Sequence, residues 1–179
     1  FCADLGAHVI FSDTEADKVA GVEERVKKTR ARGYQAVVSD SNPLPLADGC
    51  ANRIIAMEVL EHVDDPAAIV QELVRCGEPG ALYLITVPDP VGEHVQKEFI
   101  PASHFEKPNH INIFSRDEFA ALITNAGLEI ESRSSAGFFW VVWCSLFFAE
   151  RKARGEDVSG ATLDNLAPPY ADALQHWTL

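Results

Sequence analysis

The sequence predicts an α/β fold, a doubly wound and mostly parallel sheet with helices on both faces. Three features point there. Short β-rich runs alternate with helical patterns for most of the chain, the rhythm of a parallel sheet covered on each side. Successive runs stop at polar residues (Asp13, Asp40 and the Met57-Glu58 junction), where an open parallel sheet gathers its ligands. With 179 residues, 47% of them hydrophobic, the chain can bury one core and fits a single domain.

The first strand is expected over residues 7–12, stopping at Asp13. Thr14 is placed to cap the helix that follows, whose buried face carries Val19, Val22 and Val26 and whose end falls at Arg32-Gly33. A second strand over residues 35–39 stops at Asp40, and a loop with Pro43, Pro45 and Gly49 comes next. The third strand, 53–57, runs into Glu58-Val59-Leu60-Glu61-His62. Asp65-Pro66 then supplies a cap and an N1 proline for a helix with Ile69, Val70, Leu73 and Val74 as its buried stripe.

Glu78-Pro79-Gly80 reads as a turn into a strand over 81–87, closed by Pro88-Asp89-Pro90. Residues 91–113 are expected to form a loop. Ser115 and Glu118 make a capping box for a helix with Phe119, Leu122, Ile123 and Ala126 on its apolar face, stopped by Gly127. Residues 128–134 read as a further strand. The run 138–149, FFWVVWCSLFFA, is apolar all round and suits a helix in the core or at a dimer surface. A polar stretch, 152–160, and a short helix at 170–177 complete the chain.

Charge narrows the partners. The formal charge is −12, from 15 Lys+Arg against 27 Asp+Glu, with no basic cluster to offset it, so nucleic acid is excluded as the expected ligand. A small molecule or another protein fits better. The apolar run is too short for a membrane span, which takes roughly 20 residues. Cys2, Cys50, Cys76 and Cys144 never form C-x-x-C and read as reduced structural thiols of a cytoplasmic protein. His94, His104 and His110 match no standard ligand spacing, so no metal is expected.

An acid at a strand end, such as Asp13, is positioned to accept hydrogen bonds from a ribose diol; capping the next helix is its competing role. The combination is more specific. Strand-Asp13, strand-Asp40 followed by PLPLADG, then IIAMEVLEHVDDP and EPGAL, together resemble the class I S-adenosylmethionine-dependent methyltransferases, in their small-molecule branch. The resemblance runs from about residue 1 to residue 134, and EVLEHVDDP is its most specific part.

That resemblance implies a Rossmann-like fold with S-adenosylmethionine as cofactor. It implies that Asp13, with Thr14 beside it, holds the ribose hydroxyls; that Asp40, with Ser41, reaches the adenine amino group; and that Met57 and Glu58 lie along the methionine portion. It also places a first strand and a glycine-rich turn before residue 1, so the sequence is expected to be incomplete at its N-terminus, with residues 1–6 the remainder of the helix after that turn. At the C-terminus the chain is expected to stop short of a final antiparallel strand. Residues 1–137 are the expected core, with 138–179 an apolar helix and extension packed on the same domain.

Methyl transfer is an in-line displacement that chiefly requires alignment and exclusion of water, with a base only for a protonated acceptor. His62, just past a strand end, and His110, in the connection where the family often builds its acceptor pocket, are the candidate bases. Packing or capping is the competing role of His62, and loop exposure that of His104, Asn109 and His110. The apolar run offers either a homodimer surface or a wall for a hydrophobic acceptor. Two other functions stay open. An NAD-dependent oxidoreductase would use Asp13 equally well, although no Tyr-x-x-x-Lys pair accompanies it. A non-catalytic, methyltransferase-like interaction module is the other.

Overall fold

A computed structural model describes residues 1–156, and the helix expected at 170–177 lies outside them. The described chain falls into two compact units. One comprises residues 1–55, 65–84 and 126–128; the other comprises 56–64, 85–125 and, of the described residues, 129–156.

In the first unit, strand β1 (His8–Asp13) and strand β2 (Gly33–Val38) pair in parallel, from His8 opposite Gly33 to Asp13 opposite Val38. Helix α1 (Ala16–Val26) connects them and buries Val19 and Val26. Two expectations are corrected here. Glu15, not Thr14, occupies the N-cap of α1, with no side-chain cap. The carboxylate of Asp13 instead accepts from the Glu15 amide at 3.0 Å. The helix also ends well before Gly33, because Thr29 Oγ1 donates to the Val26 carbonyl at 2.6 Å and accepts from the Ala31 amide, drawing the chain out of the helix. Gly33 begins β2, where a Cβ would lie 2.8 Å from the His8 ring.

Strand β3 (Ala51–Met57) pairs with strand β4 (Gly77–Thr86) in a second two-stranded sheet. Ile54 and Ala56 are buried while Ile55 and Met57 are exposed, the period-two alternation of a strand. The expected single sheet is thus present as two strand pairs, and among the described residues no strand joins both. β4 begins at Gly77 and absorbs the expected turn at Glu78-Pro79-Gly80, with Gly80 at φ +83°. Helix α2 (Pro66–Cys76) buries Ile69, Val70 and Cys76 and leaves Leu73 and Val74 half-buried. Asp65 caps it, accepting from the Ala68 amide at 3.0 Å. Replacing Asp65 with Ala is expected to cost about 1 kcal/mol, the usual worth of such a cap, and to lower Tm by roughly 2–4 °C in thermal unfolding.

In the second unit, the expected loop at 91–113 contains helix α3 (Pro90–Gln96) and a 3-10 turn at Ala102–Phe105. The cause is local. Asp89 accepts from the Val91 amide at 3.0 Å and Pro90 sits at N1, repeating the Asp65-Pro66 arrangement. Helix α4 (Arg116–Asn125) opens with the expected reciprocal box, the Ser115 amide on Glu118 Oε2 at 2.9 Å and the Glu118 amide on Ser115 Oγ at 3.2 Å. Gly127, at φ +89°, follows it. Residues 128–134 form no strand. Among the described residues their alternation has no neighbouring strand to pair with, and residues 131–137 are exposed.

Helix α5 (Phe138–Ala153) carries the apolar run. It is not buried all round. Cys144, Phe147 and Phe148 face inward, whereas Val142 and Leu146 are exposed, Leu146 by 65%. α3 packs against α5 at Gly92, where a Cβ would come within 3.1 Å of Val141. No helix of the described residues is long and apolar enough to cross a membrane.

Candidate functional site

The parallel register sets the first part of the site. Asp13 ends β1, and its carbonyl accepts from the Ser39 amide at 3.0 Å, so Asp40 follows directly at the end of the neighbouring strand. Each carboxylate is oriented by one short-range bond: Asp13 Oδ1 takes the Glu15 amide, and Asp40 Oδ1 takes the Asn42 amide at 3.1 Å. Among the described residues neither Oδ2 has a protein partner. One acid therefore ends β1 and the other lies two residues past the end of the neighbouring β2, each with an oxygen free to accept from a ligand. Thr14 makes only a long contact with Asp13 Oδ1, 3.5 Å, and is exposed.

The loop after Asp40 is anchored by Arg75 of α2. Its guanidinium donates to the carbonyls of Leu44 (2.9 Å) and Leu46 (2.8 Å) and pairs with Asp48 at 2.6 Å and Glu72 at 2.8 Å. Glu72 Oε2 also accepts from the Leu44 amide at 2.8 Å. The guanidinium beside it holds the Glu72 carboxyl below its ordinary range.

Ser41 and Glu58 share an unusual backbone. They are the two non-glycine residues with positive φ among those described, +65° and +53°. Side chains adopt this left-handed region at a cost of about 1–3 kcal/mol, and such residues cluster at ligand sites. Glu58 is held there by its amide on the Thr86 carbonyl, 3.1 Å, and by Thr86 Oγ1 donating to its carboxylate at 2.7 Å. Met57, just before it, is 54% exposed. Asp13, Thr14, Asp40 and Ser41 belong to the first unit, and Met57, Glu58, His62 and His110 to the second.

The second unit gathers His62 and His110 with acids that the sequence did not single out. The 3-10 turn Leu60–His62 buries Leu60 and Glu61 completely. Asn112 ties this turn down, donating from Nδ2 to the carbonyls of Leu60 (3.1 Å) and Val63 (2.7 Å) and from its amide to that of Glu61 (3.1 Å). Around Glu61 gather His62, His104, His110 and the buried Glu93. The His110 ring lies 4.9 Å from that of His62 and 4.3 Å from that of His104. His110 Nδ1 is 3.2 Å from both Glu93 oxygens.

Burial raises the Glu61 carboxyl to about 7, with the nearby charges of Glu58 and Glu93 adding to the effect. Burial likewise lowers His104, as does the neighbouring His110. Burial opposes the charged form of His110 too. Its hydrogen bond to Glu93, with the charges of Glu93 and Glu61, outweighs that and raises it above the ordinary histidine range. Of this group the sequence singled out His62 and His110 as candidate bases. Glu61, Glu93 and Asn112 were missed, and the capping signal at Asp89-Pro90 was the one local clue to α3.

Comparison with known proteins decides the family. A methyltransferase domain model matches residues 1–133. The chain belongs to the methyltransferase domain family. This methyltransferase domain is 28% identical over 130 residues to a probable S-adenosylmethionine-dependent methyltransferase of Mycolicibacterium smegmatis, covering 72% of the chain and 46% of that relative. It is 25% identical over 99 residues to norajmaline N-methyltransferase of Rauvolfia serpentina, covering 55% of the chain and 29% of that enzyme. The chain thus spans less than half of either relative. Among solved structures, an S-adenosylmethionine-dependent methyltransferase of Methanosarcina mazei aligns with a TM-score of 0.57 at 18% identity, covering 73% of each chain. The methyltransferase domain therefore has the Rossmann-like α/β fold expected from its sequence, and the cofactor of its family is S-adenosylmethionine.

Proposed function

We propose that this protein transfers the methyl group of S-adenosylmethionine to a small-molecule acceptor. The observation that carries the reading is the pair of carboxylates on neighbouring parallel strand ends, Asp13 and Asp40, each oriented by one amide and each with an oxygen left over. Such a pair fits a nucleoside, Asp13 taking the ribose diol and Asp40, with Ser41 beside it, the adenine amino group. Thr14 would flank the ribose, and Met57 and Glu58 would lie along the methionine portion. The cofactor supplies an activated methyl group on a sulfonium. The chain's own part is to grip the nucleoside, align the acceptor and exclude water.

His62 and His110 are the groups we assign to the acceptor side, the second held by Glu93. The norajmaline enzyme supports a small acceptor, and the exposed Val142 and Leu146 on α5 suit a hydrophobic one or a second copy of the chain. The core of this reading is residues 1–137, with the segment from 138 as an extension of the same domain. The four free thiols fit a reducing, cytoplasmic setting.

Calorimetric titration of the full-length protein with S-adenosylmethionine, and separately with NAD, tests the proposal. Saturable binding of S-adenosylmethionine alone is the expected result. Binding of NAD alone would make the protein an oxidoreductase, and binding of neither would leave an interaction module.

A further inference from the structure

We propose that Glu61, His62 and His110 form a binding site for a divalent transition-metal cation, oriented by Pro108 and Glu93. The candidate ligand atoms of these three residues lie within 4.8 Å of one another. Spacing along the sequence gave no hint of this, because Glu61-His62 and His110 come from separate segments that Asn112 holds together.

The hydrogen bonds assign the ring nitrogens. His62 Nδ1 is 3.2 Å from the Pro108 carbonyl oxygen, which can only accept, so Nδ1 carries the proton and Nε2 presents its lone pair. His110 Nδ1 faces both oxygens of Glu93 at 3.2 Å, which places a proton on Nδ1, so the neutral ring offers Nε2 to a metal. A metal-binding histidine characteristically donates its other N–H to a carbonyl or a carboxylate, fixing tautomer and ring orientation. Both histidines show that arrangement, one with each kind of partner.

Glu61 completes the set. It is fully buried, and neither of its oxygens has a hydrogen-bond partner. His62 Nε2 stands 3.7 Å from Oε1, too far for a hydrogen bond. A carboxylate withdrawn from water with no hydrogen-bond partner is costly, and a cation between it and the two imidazoles offsets that cost. Two imidazoles and one carboxylate suit zinc, manganese, iron or cobalt better than the oxygen-seeking calcium or magnesium. Three protein ligands leave coordination positions open for water or for an oxygen of an acceptor. Only that last use rests on the methyl-transfer reading; the cation site does not.

The test uses the full-length protein stripped with a chelator, titrated with Zn²⁺ by calorimetry and with Co²⁺ by visible absorption, without S-adenosylmethionine. One equivalent of metal is expected. Glu93→Gln is expected to weaken it about 10–100-fold, the usual effect of losing an orienting partner, and His110→Ala to weaken it further. His94→Ala, an exposed histidine outside the group, is expected to bind as the wild type does. Nitrogen-15 histidine spectra of the wild type need no variant and are expected to show Zn²⁺ shifting Nε2 of His62 and His110 while His94 stays still. Absence of binding, binding unchanged in folded His110→Ala, or a shift at His94 alone would overturn the proposal. S-adenosylmethionine titrated into the same stripped protein reports separately on the cofactor binding that the methyl-transfer reading requires.

Discussion

Asp13→Ala is expected to weaken S-adenosylmethionine binding by about 100-fold or more. A carboxylate gripping both hydroxyls of a ribose makes two hydrogen bonds of roughly 1.5–3 kcal/mol each, and each 1.4 kcal/mol is tenfold in affinity. Asp40→Ala, which removes the partner of a single amino group, is expected to cost less, about 10-fold to 100-fold on the same scale. Calorimetry on the folded variants reads both. Equal binding by wild type and Asp13→Ala would remove the strand-end carboxylate from the account.

The second large effect concerns stability. Leu60 is wholly buried at the start of the turn that carries Glu61 and His62. Leu60→Ala leaves a cavity the surroundings fill only in part, at a cost of roughly 2–5 kcal/mol and a fall in Tm on the order of 10 °C. Leu146→Ala supplies the comparison. Its side chain is 65% exposed on α5, and a change within about 0.5 kcal/mol is expected there. Thermal unfolding of the two variants side by side distinguishes a buried anchor from a surface leucine. Similar losses in both would mean that Leu146 is covered in the protein in solution.

Signals that act over a few residues were legible in the sequence. Asp65-Pro66 announced α2, and Ser115 with Glu118 announced α4, because a cap and its amides lie within one turn of each other. The same signal at Asp89-Pro90 also closes a strand run, and the histidines and prolines after it mask the helical pattern of α3. Residues 128–134 show the converse. Alternation suggests a strand, but a strand needs a neighbour, and that information is not local.

The candidate site divides along the same line. Asp13 and Asp40 could be picked out because each closes a β-rich run, and the parallel register sets Asp13 opposite Val38, two residues before Asp40. Glu61 was passed over as one acid among 27 Asp+Glu, since nothing adjacent in sequence shows that Leu60 and Asn112 draw it out of water. The left-handed backbone at Ser41 and Glu58 was equally invisible, as neither residue type favours it. Contacts between segments bury Glu61 and hold Glu58, the latter through Thr86.

A crystal structure of the protein with S-adenosylhomocysteine bound tests the central claim most directly. The account predicts both ribose hydroxyls within hydrogen-bond distance of the Asp13 carboxylate and the adenine amino group on Asp40. A nucleoside seated elsewhere, with Asp13 turned to solvent, would contradict it.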